Sequence, residues 1–309
     1  MTGPILLALA PIVLLIGFGY GLKHTGFLAD AFWPQAERLG YFVLLPALFV
    51  HGLATTQMQA LPVWQMAVAL SGAVLVVGAL VVAAKPLMGI DGPAFTSVFQ
   101  GSVRFNNYVA VTVAVGLFGS QGVTLSAICN AAIVPTVNIF CVFVFARFGH
   151  ARLTAGGILR QIVSNPLVLA CAAGLVLQTT GLGLPPGIEP ALKALGAASL
   201  PLGLLCVGAA LDFGAARRWV GPVAVSSAIK FLAMPAVAFG LALAVGLDGP
   251  PLATVLLFHA MPTAASAYIL ARQLGGDAPL MAGITAVQTV LAGLAMPLVV
   301  AALLGLAGM

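Results

Sequence analysis

The side chains best equipped for chemistry fall in two short stretches of an otherwise apolar chain. The first, Gln100-Gly101-Ser102-Val103-Arg104-Phe105-Asn106-Asn107-Tyr108, sets a guanidinium, two adjacent carboxamides and a phenol inside a hydrophobic run. The second, His259-Ala260-Met261-Pro262-Thr263-Ala264-Ala265-Ser266-Ala267-Tyr268, does the same with an imidazole, a proline, two aliphatic hydroxyls and a phenol. An Arg at bilayer depth costs at least ~2.5 kcal/mol on insertion scales, and a pair of Asn weakens a helix further, so the first stretch needs compensation. A broken helix lining a polar cavity supplies it: unwinding frees backbone groups, and the half-helix N-terminus carries partial positive charge suited to an anion. The competing reading has Arg104 snorkelling to an interface while the Asn pair bonds neighbouring helices. In the second stretch Pro262 removes an internal N–H and crowds the preceding turn, so that helix should also break or kink.

The elements that carry these stretches follow from composition. With 61% hydrophobic and 6% charged residues, and a mean hydropathy of +1.15, the chain cannot present the surface of a soluble globule. It reads as an all-α integral membrane protein. Apolar spans of membrane length fall at about 4–22, 39–55, 63–84, 94–117, 122–146, 162–180, 191–211, 219–246, 251–273 and 279–307, which makes ten transmembrane helices. Lys23, Arg38, Lys85, Arg147, Arg152, Arg160, Arg217, Arg218 and Arg272 fall on one side, Lys193 on the other, and Arg104 and Lys230 within spans. Basic residues stay on the cytoplasmic side of short loops, so both termini are expected on the non-cytoplasmic side. Topology accounts for the net charge of +5, and no aromatic-basic surface suggests nucleic acid.

The two halves resemble one another at an offset of about 155 residues. Pro11 maps onto Pro166, Thr25-Gly26 onto Thr180-Gly181, Pro46 onto Pro201 and, with one extra residue, Phe118-Gly119 onto Leu274-Gly275. Five helices per half is an odd number, so the two copies enter the membrane from opposite sides and the repeats are inverted. The organisation is then 1–147 as the first five-helix repeat, 148–161 as a cytoplasmic linker and 162–309 as the second repeat. The offset sets Pro262 at the position of Asn107 and His259 opposite Arg104. Broken helices 4 and 9 would cross near the midplane, with one cavity beside both. The candidate substrate contacts are Arg104, Asn106, Asn107, Tyr108, His259, Pro262, Thr263, Ser266 and Lys230.

Cationic side chains away from loops are Arg104, Lys230 and a protonated His259, and carboxylates match Arg in bidentate geometry. Lys230 can equally neutralise helix C-termini. Asp30, Glu37, Asp91, Glu189, Asp212, Asp248 and Asp277 all fall in or beside expected loops, which leaves no carboxylate within the membrane as a proton relay or hard-cation ligand. His51 and His259 are then the proton-coupling candidates, each with neutral helix packing as its alternative. Sodium can still bind through Asn, Thr, Ser and backbone carbonyls. Cys129, Cys141, Cys171 and Cys206 show no metal-ligand spacing, so no metal or cofactor is expected. Pro46 and Pro201 are expected to kink their helices, and glycines such as Gly203 and Gly208 to let helices approach closely. Residues 1–20 lack a basic n-region and read as a retained first helix.

Several motifs together resemble the auxin efflux carrier family of membrane transporters: Arg104-Phe105-Asn106-Asn107-Tyr108, Asn165-Pro166, Ser199-Leu200-Pro201-Leu202-Gly203, Val207-Gly208-Ala209-Ala210-Leu211 and Met261-Pro262-Thr263-Ala264-Ala265. The resemblance covers essentially the whole chain. It implies a fold related to bile acid:sodium symporters, with a scaffold (about 1–60 and 162–213) interleaved with a moving transport domain (about 61–147 and 214–309). It also implies homodimerisation through scaffold helices. The chain is without the long central loop of many plant members and is similar to bacterial permeases of the inner membrane. Such relatives suggest a small organic anion, for instance malonate or malate, moved by elevator-type alternating access with H+ or Na+ as possible coupling ion. The rivals are a membrane-embedded enzyme and a non-transporting receptor. The sequence has no His-Glu-x-x-His, and Gly275-Gly276-Asp277 has no partner Asp within the membrane, so an enzyme is not expected.

Overall fold

The computed structural model describes residues 2–55, 61–149, 164–212, 214, 218–264 and 266–306, and all regular structure among them is helical. In chain order the helices are α1 (Thr2–His24), α2 (Phe32–Ala54), α3 (Val63–Ala83), α4 (Gly92–Val103), α5 (Asn107–Phe148), α6 (Pro166–Thr180), α7 (Ile188–Ala209), α8 (Val220–Ala244), α9 (Gly249–Ala260), α10 (Ser266–Leu274) and α11 (Ala278–Leu306). Six segments among the described residues are long and apolar enough to cross a membrane: α2, α3, the run Gly92–Phe148, α7, α8 and α11. Residues 10–24 of α1, α6 and α9 are shorter apolar helices. Beyond Gly149 the expected linker lies outside the described residues, as do Arg152, Arg160 and Arg217.

Local sequence explains where these helices start, bend and stop. Asp91 caps α4 by accepting from the Ala94 N–H at 2.9 Å, and Asn165 caps α6 through the N–H groups of Leu167 (3.0 Å) and Val168 (3.3 Å). A proline follows each cap in the first turn, where its missing N–H costs no hydrogen bond. Within α2 the turn Gly40–Leu44 is π-helical and is followed by Leu45-Pro46; within α8 the turn Ile229–Ala233 is π-helical and is followed by Met234-Pro235. A proline cannot donate to the carbonyl four residues back and its ring crowds it, and a widened turn relieves both problems. Pro201 instead lies inside the uninterrupted α7. The long α5 is two helices joined at Gly119, whose φ of 57° and ψ of −132° are open to glycine and costly for other residues.

The halves share this punctuation. Helices α4 and α9 are each 12 residues long, each opens with Asp-Gly-Pro, and each ends on an extended residue, Arg104 (ψ 157°) or Met261 (ψ 149°). Gly26 and Gly181 both have φ of 68°, and Gly119 and Gly275 have 57° and 72°.

Most of the packing falls into two sets, which meet where α5 lies on α1, α2, α6 and α7 and where α11 lies on α1. In one, α1 lies on α7, and α2 lies on both α6 and α7. These contacts are backbone to backbone: a Cβ on Gly208 would meet the Ile16 carbonyl and one on Gly19 the Leu205 carbonyl, while Gly174 and Gly196 sit against the backbone of α2 at Val50 and Leu48. In the other set, α3 packs on α5 and α8, α9 on α5 and α8, and α4 on α5, α8 and α11, around the fully buried Phe95, Phe99, Phe145 and Phe258.

One boundary corrects an expectation with a bearing on function. Helix α2 starts at Phe32 rather than near 39, so Glu37 and Arg38 stand on a helix and not in a loop. Its first turns are amphipathic, with Trp33 and Ala36 buried between more exposed neighbours that include Gln35, Glu37 and Arg38, so they fall outside the uniformly hydrophobic stretch.

Candidate functional site

A cavity of about 720 Å³ opens where the helix beginning at Asn107 meets α2, α6, α7 and α10. Five of the side chains expected at a substrate site line it: Arg104, Asn106, Asn107, Tyr108 and Ser266. Glu37, Arg38 and Tyr41 of α2, Asn138 of α5, Asn165 before α6, Cys206 of α7 and Gln273 of α10 complete its polar wall, and Val134, Val137, Val207, Ile269 and Leu270 its apolar wall.

The breaks in the chain on either side of this cavity are joined directly. Between α4 and α5, residues 104–106 leave the helix; between α9 and α10, residues 261–264 do. The Asn106 N–H donates to the Pro262 carbonyl at 2.7 Å, so each extended segment satisfies a backbone group of the other. Gln288 of α11 ties both down. Its Nε2 donates to the Gly101 carbonyl at 3.0 Å and to Ser226 Oγ at 3.3 Å, and its Oε1 accepts from the Thr263 N–H at 3.0 Å. The Phe105 ring lies 5.5 Å from that of Phe258, which adds an apolar contact across the same crossing.

The polar atoms around the cavity divide into committed and uncommitted groups. Asn106 Oδ1 accepts from the Val109 N–H at 3.2 Å and so caps α5. Asn165 caps α6 and donates from Nδ2 to the Tyr41 hydroxyl at 3.2 Å. Arg104 is half-buried and donates from Nη1 to Asn138 Oδ1 at 3.1 Å, which engages only part of a five-donor fork. Asn107 Oδ1 and Tyr108 Oη are buried with no hydrogen-bond partner, although both residues line the cavity. Two helices also begin at the cavity, α5 at Asn107 and α10 at Ser266, and their N-terminal ends add partial positive charge. A guanidinium, two helix N-termini and free polar atoms gather around one part-apolar hollow, a combination whose chemistry suits a small anion with an organic body.

The ring of Tyr108 seats this wall against the neighbouring helices. It lies where a Cβ on Gly203 of α7 would be, and its hydroxyl is 2.7 Å from where a Cβ on Gly40 of α2 would be. The slot exists because both positions are glycine.

Other expected site residues sit elsewhere. His259 and Lys230 are buried in the second packing set, near one another and away from the cavity lining, with His259 against the backbone of Leu70 on α3. Pro262 lines a separate small hollow with Thr289 and Met296, and Thr263 is wholly buried with its hydroxyl unpartnered. The break after α9 thus turns Met261, Pro262 and Thr263 into the core, leaves Ala264 at the cavity wall and offers the crossing its backbone. His51 lies near the far end of α2, where its Nε2 is 3.8 Å from Glu189 Oε1. Among the described residues no cluster of three His, Cys, Asp or Glu side chains gathers to hold a metal. Sequence reasoning did not single out Asn138, Gln273 or Gln288; Asn138 and Gln288 stand in long apolar helices, and Gln273 follows Arg272 in the short amphipathic α10, with no local motif to mark them.

A multi-spanning helical protein with a polar hollow beside two helix breaks has the form of a solute transporter of the membrane. Residues 150–300 match the family model described as "Membrane transport protein". Over those residues, just under half of the chain, it is similar to the membrane transport proteins, the family of the auxin efflux carriers. It is 23% identical over 266 residues to an uncharacterized transporter of Methanocaldococcus jannaschii (84% of this chain, 86% of the relative). It is also 23% identical over 299 residues to one of Methanothermobacter thermautotrophicus (93% and 94%). A Rhizobium meliloti protein named "Putative malonate transporter" is 24% identical over 279 residues (83% and 84%).

Proposed function

We propose that this chain is a secondary transporter that moves a small carboxylate, malonate or malate, by alternating access, with its solute in the cavity beside Arg104. The observation that carries the reading is the half-buried guanidinium at a helix break, set with two helix N-termini around a hollow of about 720 Å³. The name of the Rhizobium meliloti relative agrees with it. Arg104, Asn106, Asn107, Tyr108 and Ser266 contact the solute, while His259, Pro262, Thr263 and Lys230 hold the crossing from behind.

The recurring frame of α4 and α9, and the matched glycines at 26 and 181 and at 119 and 275, support two inverted five-helix repeats within ten spans. The two packing sets support a scaffold of α1, α2, α6 and α7 against which the remaining helices move as an elevator. Their only crossing by a ring in a glycine slot, among the cavity residues, is Tyr108 between Gly203 and Gly40. The cavity is bordered by the exposed Arg38 and the first turns of α2 and α6, the side that the basic residues assign to the cytoplasm, so this is the inward-open form. The membrane is the bacterial inner membrane, with both termini outside the cytoplasm and scaffold helices forming a homodimer.

Uptake of labelled malonate and malate into proteoliposomes, under imposed potential, pH and sodium gradients, tests the reading. Saturable flux that Arg104→Ala removes while the protein still purifies as a folded species is expected. Undiminished flux in Arg104→Ala would move the site elsewhere.

A further inference from the structure

The cavity is lined by a carboxylate as well as by guanidiniums. Glu37 stands on the second turn of α2, half-buried, and among the described residues no cation lies within ion-pair distance of it. Among the described residues the charged side chains of the lining are Arg104 at the break and the adjacent Glu37 and Arg38 of α2. A dicarboxylate such as malonate finds a partner for each of its ends in the two guanidiniums, but it offers nothing to Glu37, which only accepts hydrogen bonds and attracts only positive charge. Asn107 adds a second acceptor without a donor, since its Oδ1 is buried and unpartnered. The hollow is walled in part by Val134, Val137, Val207 and Ile269, and like charges repel more strongly there than in water. The complement of two positive charges and one negative charge is a solute with two carboxylates and one ammonium.

We infer that the cavity takes an amino dicarboxylate of the aspartate type, with one carboxylate at Arg104, the other at Arg38 and the ammonium at Glu37. The inference rests on the carboxylate reading given above and refines its substrate. Aspartate is malate with the hydroxyl replaced by an ammonium, so the body that fills the hollow is nearly unchanged and the added positive charge is what Glu37 selects. An ammonium carries three donors, enough for the Glu37 carboxylate and a further acceptor. Glu37 and Arg38 belong to α2, a helix of the scaffold, whereas Arg104 belongs to the part that moves. The ammonium contact is therefore made while the site faces the cytoplasm and is left behind when the transport domain moves. Glu37 sets the preference of the cytoplasmic face, and Arg104 stays with the solute throughout.

The test measures uptake of labelled aspartate and malate by the purified protein in proteoliposomes, and inhibition of that uptake by succinate, which is aspartate without its amine. Wild type should show saturable aspartate flux that Arg104→Ala removes, with aspartate half-saturating at a concentration about 10-fold or more below that at which succinate inhibits by half. Glu37→Gln should raise the half-saturation for aspartate about 10-fold or more and leave that for malate unchanged or lower, since the same change takes a like charge away from malate. Glu37→Asp should keep the preference for aspartate. In membrane vesicles containing the protein, the effect of Glu37→Gln should appear in inside-out vesicles and be absent from right-side-out ones; an equal effect in both would overturn the one-sided contact. Arg104-dependent malate flux without aspartate flux, or an equal shift for both solutes in Glu37→Gln, overturns the inference and leaves the carrier reading standing. If Glu37→Gln does not fold, the comparison of aspartate with succinate in wild type decides alone. No Arg104-dependent flux of either solute would overturn both.

Discussion

The breaks after α4 and after α9 share a frame and differ in what they expose. Each follows a 12-residue helix opened by Asp-Gly-Pro, and each begins on an extended residue. Yet the first presents Arg104, Asn106 and Asn107 to a cavity, whereas Met261, Pro262 and Thr263 of the second are buried. The second gives the crossing a carbonyl, from Pro262 to Asn106, and an N–H, from Thr263 to Gln288. A backbone geometry repeated in two places therefore does not need its chemistry repeated. One copy can carry the polar side chains, and the other can hold them in place with main-chain groups that any residue type supplies.

The most forceful way to break the comparison is to remove what both breaks share. Gln288→Leu leaves the Gly101 carbonyl and the Thr263 N–H without the partner each now has, and an unsatisfied buried group costs about 1–3 kcal/mol. The expected loss is about 2–6 kcal/mol for the pair, read as a lowered Tm in detergent together with lost uptake. A Tm equal to wild type would mean that the breaks stand without Gln288.

Next in size is a substitution that keeps the charge of the first break and removes its shape. Arg104→Lys retains a cation but has no planar fork to share between Asn138 and a carboxylate. Losing one charge-assisted bond of about 1.5–3 kcal/mol predicts an apparent affinity for solute about 10- to 100-fold weaker, with maximal flux less affected. Saturation curves for malate uptake decide it. An unchanged half-saturation would show that Arg104 acts as a point charge, and the contrast between the breaks would then be one of charge alone.

How much of this was legible in the sequence depends on whether the cause was local. An Arg followed by two Asn in an apolar run, and a proline in the matching run, were enough to locate both breaks, because each is a local fault in a helix. Asn165-Pro166 likewise marks the start of α6 through its own cap. Gln288 was invisible, since its partners lie 187 and 25 positions away and nothing near it in sequence marks the contact. Glu37, expected in or beside a loop, stands on a helix because the first turns of α2 are amphipathic and extend beyond the hydrophobic stretch. The burial of His259 and Lys230 away from the cavity could not be read from periodicity either: every residue of α9 from Pro251 to Ala260 is buried, so no polar face marks which side meets the cavity.

The smallest effect sharpens the comparison most, because its sign differs between the breaks. Thr263 is wholly buried and its hydroxyl has no hydrogen-bond partner, while its N–H is held by Gln288. Valine has nearly the same shape and keeps the N–H, so Thr263→Val removes an unsatisfied hydroxyl without touching the tie to Gln288. Burying a hydroxyl unpaired costs about 1–3 kcal/mol by mutational measures, part of which the substitution returns as stability. The expectation is a Tm at or slightly above wild type, with the half-saturation for malate unchanged. Asn107→Val, made at the helix start that follows the first break, removes a carboxamide whose oxygen is also unpartnered but whose residue lines the cavity. There the same kind of change should weaken solute binding. If Thr263→Val weakens binding as much as Asn107→Val does, the hydroxyl reaches the solute in some stage of the cycle, and the second break contributes chemistry as well as support.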